Sequence, residues 1–204
     1  MSALRLPASF AVEGPTDEAV LRAVAGSVNL ELMRGHGSRG KAYLRARLGA
    51  FNAAARHAPW VVLVDLDTEL ECAPRLLATW LPHREPGMGL CVAVRAVEAW
   101  LLADAERLAT FLGVHQSAVP SLPDEVDDPK AEMLRLVRRS RRTALRHDML
   151  PRPESGIAVG PAYAGRLIEF ASRHWRPEVA ECRSDSLRRC RARLTALGSG
   201  TETA

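Results

Sequence analysis

Acidic residues stand where two apolar runs end. Glu13 follows the run Leu6 to Val12, and Asp65 and Asp67 follow Trp60 to Val64. Carboxylates gathered at one point repel one another, and a divalent cation relieves that repulsion. A small set of hard oxygen donors, with positions left for water and phosphate, suits Mg2+ or Mn2+. The candidate chemistry is therefore divalent-cation binding, with water and phosphate as the remaining ligands. Asp17, one helical turn beyond Glu13, belongs to the same candidate set.

This chemistry requires elements that bring residues 13, 17, 65 and 67 together. Leu6 to Val12 reads as a short strand ending at Glu13-Gly14-Pro15. Thr16 reads as an N-cap, with Asp17 and Glu18 in the first helical turn, where the helix dipole favours acids. Val28 to Met33 reads as a second strand, followed by the glycine-rich turn from Gly35 to Gly40 and an Ala-rich helix to about His57. The continuous apolar run Trp60 to Val64 suits a strand buried on both faces. A helix from about Cys72 to Trp80, a strand over Leu90 to Val94 and a helix over Glu98 to Leu112 follow. Four strands alternating with helices predict a parallel sheet, whose C-terminal edge binds ligands. In an extended chain, residues i and i+2 share a face, so Asp65 and Asp67 are expected to point the same way there. Beyond residue 115 come a Pro/Asp-rich linker, Pro120 to Pro129, and helical segments near 130–146, 161–174 and 184–197. The expected organisation is an α/β core over residues 1–115, a helical region over 116–197 and a frayed tail over 198–204.

The turn Glu13-Gly14-Pro15-Thr16-Asp17, followed by Val61-Val62-Leu63-Val64-Asp65-Leu66-Asp67, resembles the TOPRIM domain of topoisomerases, primases and OLD-type nucleases. A longer ordered set adds Val97-Glu98-Ala99-Trp100-Leu101-Leu102-Ala103-Asp104, Asp128-Pro129-Lys130, and Val159-Gly160-Pro161 with Tyr163. With these the chain resembles the TOPRIM-like proteins of domain-of-unknown-function family 4276, which are thought to accompany ATPases in bacterial defence against phage. The resemblance implies a TOPRIM-like open parallel sheet and metal-dependent phosphodiester chemistry. Glu13, Asp65 and Asp67 would hold Mg2+ or Mn2+, and Asp17 matches the second acid of OLD-like members. A partner ATPase is implied as well. The chain has only two tyrosines, Tyr43 and Tyr163, and no recognisable topoisomerase or primase region, which leaves a nuclease acting on DNA as the expected activity.

Other signals either compete with this reading or extend it. The loop from Gly35 to Lys41 satisfies G-x-x-x-x-G-K after a strand and before a helix, which is the setting of a phosphate-binding P-loop. Ala42 stands where the Mg2+-holding Ser or Thr belongs, so a nucleoside triphosphatase is the weaker alternative. Lys41 and the loop amides could still contact a nucleic-acid phosphate. Glu98 opens a helix just after the fourth strand and is placed to orient a ligand. Lys130 is a candidate for stabilising transition-state charge. Arg135, Arg138, Arg139, Arg142 and Arg146 fall within about 100° of one helix face, a candidate phosphate track. A non-catalytic nucleic-acid-binding or regulatory subunit is the second hypothesis.

Composition bounds the rest. The 204 residues are 47% hydrophobic and 25% charged, ordinary globular usage that excludes wholesale disorder. No apolar run approaches the roughly 20 residues that span a bilayer, and the N-terminus lacks a secretory pattern, so a cytoplasmic location without membrane contact is expected. The four cysteines form no C-x-x-C pair and are expected as reduced thiols. The net charge is +4, with clustered arginines over 130–152.

Overall fold

A computed structural model of the chain describes residues 7–36, 39–67, 72–153 and 156–199. The elements run β1 (Ala8–Ala11), α1 (Pro15–Ser27), β2 (Leu32–Gly35), α2 (Lys41–Ala54), β3 (Trp60–Asp65), α3 (Ala73–Trp80) and β4 (Met88–Ala93). Further α-helices follow among the described residues: α4 (Val97–Ala103), α5 (Ala105–Leu112), α6 (Pro129–Arg138), α7 (Thr143–Met149), α8 (Tyr163–Arg173), α9 (Pro177–Ala180) and α10 (Asp185–Ser199). The fold is α/β: four parallel strands in the order β2-β1-β3-β4, flanked by helices, with a helical C-terminal region. Among the described residues no helix is long and apolar enough to cross a membrane.

The two strands β3, up to Asp65, and β4 are apolar because both of their faces are covered. Phe10, Val61, Leu63, Cys91 and Ala93 face one way, into a core shared with α1, α4 to α6, α8 and α10. Ala11, Val62, Val64, Leu90 and Val92 face the other way, against Leu44, Leu48 and Phe51 of α2 and Leu76 of α3. The C-terminal helices thus complete one continuous core with the first face. Trp100 is fully buried there, its indole N–H donating to Ser186 Oγ at 2.7 Å. Asp104, 1% exposed, is gripped by the Arg176 guanidinium. These contacts bind the C-terminal region to α4.

Several boundaries differ from the sequence reading, each for a local reason. Gly14, not Thr16, is the N-cap of α1, because Pro15 takes the first helical position. Val28 ends α1 instead of starting a strand, and Asn29, at φ 55°, turns the chain toward β2. The segment 98–112 is two helices, since Asp104 leaves helical geometry and its carboxylate caps α5 through the Arg107 amide. The segment 130–146 is also two helices. Buried Ser140 breaks it by donating to the Leu112 carbonyl and accepting from the Arg142 amide. Leu6, Gly37, Ser38 and the tail from Gly200 lie outside the described residues.

Candidate functional site

The strand order reverses between β1 and β3, and in open α/β sheets the crevice at such a reversal, beyond the strands' C-terminal ends, is where ligands bind. Glu13 follows β1 and Asp65 ends β3 at this point. The two are joined directly: the Asp65 amide donates to Glu13 Oε1 at 2.9 Å. Asp65 Oδ1 in turn accepts from the Val97 amide at 3.0 Å, fastening β3 to the start of α4.

A cavity of about 660 Å³ opens here. Asp17, Asp65, Asp67 and Glu98 line its acidic floor; Glu13 is not among the lining residues and reaches the site through its bond to the Asp65 amide. The opposite wall comes from the C-terminal region: Asp127, Asp128 and Lys130 at the start of α6, and Val159, Gly160 and Tyr163 ahead of and within α8. Every segment of the ordered motif set therefore contributes to this cavity. A second cavity, about 650 Å³, lies between β4, α3 and α10 around Cys72, Cys91 and Cys190, and the acidic floor is not part of it.

The acids perturb one another. Burial is the first cause that holds the Asp65 carboxyl well above the usual carboxylate range, followed by the charges of Asp17, Glu98, Glu13 and Asp67. Asp17 is pushed up to about 6, by burial first and then by Glu98 and Asp67; the amides of Gly14 and of Asp17 itself oppose the shift. The bond to the Gly14 amide makes Asp17 a structural cap too, since Gly14 has no side chain with which to close the helix. Glu13 is raised by burial, against the Asp65 amide and the Lys41 charge. Buried Glu98 accepts from the Tyr163 hydroxyl at 3.2 Å. Burial, then Glu98, pushes that phenol above its ordinary range, so Tyr163 keeps its proton and remains a donor.

Asp67 departs from the extended-chain expectation. The strand stops at Asp65, and Asp67 adopts φ 53°, so the i, i+2 alternation ends before it. Its carboxylate still lines the cavity but pairs with the Lys41 ammonium at 2.7 Å. Lys41 also donates to the Leu66 carbonyl at 3.4 Å, so the lysine of the P-loop-like motif is directed at the acidic site. The donor chemistry fits Mg2+ or Mn2+: carboxylate oxygens only, those of Glu13, Asp17 and Asp65 with raised proton affinity that a cation would relieve. The side chains are not a finished cage, for among the described residues no three His, Cys, Asp or Glu are set to hold an ion together.

No family model, curated protein or solved structure matches this chain.

The site's cations are not the arginines of 135–146. The helix break divides those residues between α6, its C-terminal turn and α7. Arg135 binds Glu132 and the Ala118 carbonyl, Arg142 the Thr110 carbonyl, and Arg146 the Ser140 carbonyl. Arg138 and Arg139 are exposed at the end of α6. Two cations line the cavity instead. Lys130 is exposed and stands 5.8 Å from the Tyr163 ring, and Arg95 follows β4. Sequence reasoning gave no role to Arg95 or Asp127. Arg95 owes its place to φ 59°, which no residue pattern announces.

Proposed function

We propose that the chain is a metal-dependent nuclease whose active site is the acidic cavity at the β1/β3 reversal. The observation that carries this reading is the meeting of Asp17, Asp65, Asp67 and Glu98 with Lys130 and Arg95 in one cavity, drawn from segments over a hundred residues apart. Glu13, Asp65 and Asp67, with Asp17, would hold Mg2+ or Mn2+. When bound, the cation would polarise a phosphate and lower the pKa of an attacking water. The chain's own groups have separable tasks. Lys130 and Arg95 take the phosphate's negative charge, and Tyr163 fixes Glu98 against the floor. Asp17, its pKa raised to about 6 by burial and by Glu98 and Asp67, would give up its proton when it joins the cation. DNA is the proposed substrate. From the resemblance to family 4276, the chain would be an effector of phage defence alongside a partner ATPase.

Supercoiled plasmid incubated with millimolar Mg2+ or Mn2+ tests this. Nicking that depends on the cation, is lost in Asp65→Ala and is retained in Arg142→Ala is the expected result. One observation favours a second reading, a non-catalytic nucleic-acid-binding subunit: Asp67 is paired with Lys41, and among the described residues no three acids form a cage. No nicking with any cation, together with DNA binding untouched by Asp65→Ala, would decide for it.

A further inference from the structure

Residues 32–64 contain no Asp or Glu, yet hold Arg34, Arg39, Lys41, Arg45, Arg47 and Arg56. That charge of +6 exceeds the +4 of the whole chain, so the remaining residues sum to a negative value. The positive segment is the edge strand β2 and helix α2, which crosses to β3 over the face opposite α1. Leu44, Leu48 and Phe51 form the buried stripe of α2, and cations flank it on both sides. On one side Lys41 and Arg45, one turn apart, lie over the Trp80 ring at 5.9 and 5.5 Å. On the other side Arg39 and Arg47 both lie over Tyr43, at 5.3 and 5.8 Å. Arg39, Arg45 and Arg47 are exposed, and none has an ion-pair partner among the described residues.

An arginine resting on an aromatic face is held in position while its N–H donors stay open to solvent, a preorganised seat for phosphate oxygens. This face also adjoins the acidic cavity. The Gly40 amide, at the head of α2, donates to the Glu13 carbonyl at 3.1 Å, and Lys41 reaches Asp67. A polyanion lying along α2 therefore has a phosphate delivered to the acids. We infer that the exposed face of α2, with Trp80 of α3, is the track that binds a DNA strand through its phosphates and leads it to the cavity. The inference rests on the nuclease reading for its destination, but the binding surface can be tested separately.

The test is fluorescence anisotropy of a labelled oligonucleotide, single-stranded and duplex, in EDTA over a salt series. Arg39→Ala/Arg45→Ala/Arg47→Ala should weaken binding at low salt by tenfold or more. It should also flatten the slope of log K against log salt by about 2 to 3, near one per lost phosphate contact. The triple Arg→Lys variant should keep most of that slope, and Arg138→Ala/Arg139→Ala should leave both quantities unchanged. Melting curves must show each variant folded; if the alanine variant is not, charge reversal in Arg45→Glu alone should produce at least the loss expected for one contact. The inference is overturned if the α2 variants bind like wild type, if wild type does not bind DNA, or if polyglutamate of equal charge competes as well as DNA. Salt-dependent binding through α2 without cleavage under any cation would remove the nuclease reading and keep the track. Cleavage with binding indifferent to α2 would do the reverse.

Discussion

Asp67 and Arg95 hold each other through the main chain at the ends of β3 and β4. The Asp67 amide donates to the Arg95 carbonyl at 2.8 Å, and the Arg95 guanidinium returns a bond to the Asp67 carbonyl at 3.0 Å. Both residues are left-handed, at φ 53° and 59°. Such backbone costs on the order of 1 kcal/mol per non-glycine residue and persists where the surroundings impose it. Here it turns both side chains into the rim of the acidic cavity. Arg95→Ala should lose the guanidinium bond and keep the strain, whereas Arg95→Gly removes both. Glycine should therefore melt above alanine by about 1 kcal/mol in urea denaturation, while both weaken phosphate binding alike.

Crowding of buried carboxylates sets a pH dependence. Asp17 has its folded pKa raised to about 6 from an ordinary 3.8. A raised carboxylic acid binds its proton more tightly folded than unfolded, so its ionisation opposes folding. That penalty is absent below pH 4, grows as pH rises toward 6 and is complete above it. Asp65 and Glu13 are shifted the same way. The metal-free protein should thus gain stability as pH falls from 7.5 to 5. Asp17→Asn keeps an acceptor for the Gly14 amide and should stabilise the metal-free protein at pH 7.5, by up to roughly 3 kcal/mol. The gain should vanish near pH 4. Thermal melts across this range check the sign, and millimolar Mg2+ should raise the wild-type melting temperature at pH 7.5 more than that of Asp17→Asn.

How much of this site is legible in the sequence follows from the range over which each cause acts. The strand ends at Glu13 and Asp65 are readable because a buried parallel strand is a continuous apolar run, and the residue that breaks it marks its end. The parallel α/β fold follows from the same runs. Helix interruptions are not readable that way. Ser140 breaks 130–146 because it finds the Leu112 carbonyl, a partner 28 residues away. Asp104 breaks 98–112 because Arg176 and the α5 cap both hold it. Periodicity alone could not show either, so an arginine stripe counted on one continuous helix is divided in space. The basic segment 32–64 was open to inspection as a local charge imbalance, but its nearness to the acids depends on the sheet order.

Gly160 shows how the C-terminal region reaches the site. A Cβ built there would stand 2.4 Å from the Asp148 carbonyl oxygen and 2.6 Å from that of Leu150. The close approach lets the Gly160 amide bind the Met149 carbonyl at 2.8 Å and places Tyr163 at the start of α8 in the cavity wall. Gly160→Ala must push this segment away from backbone that cannot yield. It should cost about 1–3 kcal/mol in denaturant unfolding. It should also lower cation-dependent cleavage by more than Gly165→Ala, whose added Cβ meets nothing within 4 Å.

The Tyr163–Glu98 bond separates a positioning role from simple packing. Both residues are buried, and Tyr163 is the hydrogen-bond donor to Glu98 across the cavity. Tyr163→Phe keeps the ring and the Lys130 contact but leaves the Glu98 oxygen short of its donor, a cost of about 1–3 kcal/mol when the acceptor is charged. Glu98→Gln removes the charge that made the loss expensive. The double variant should therefore be destabilised by less than the two single effects combined, a coupling of about 1 kcal/mol in a double-mutant cycle. If the hydroxyl aims Glu98 at the site, Tyr163→Phe should also shift the metal concentration needed for half-maximal cleavage. Arg176→Ala strands the buried Asp104 at the far end of α4, so it should lower stability by at least as much and leave that concentration unchanged. Equal shifts in both variants would mean that Tyr163 acts on stability alone.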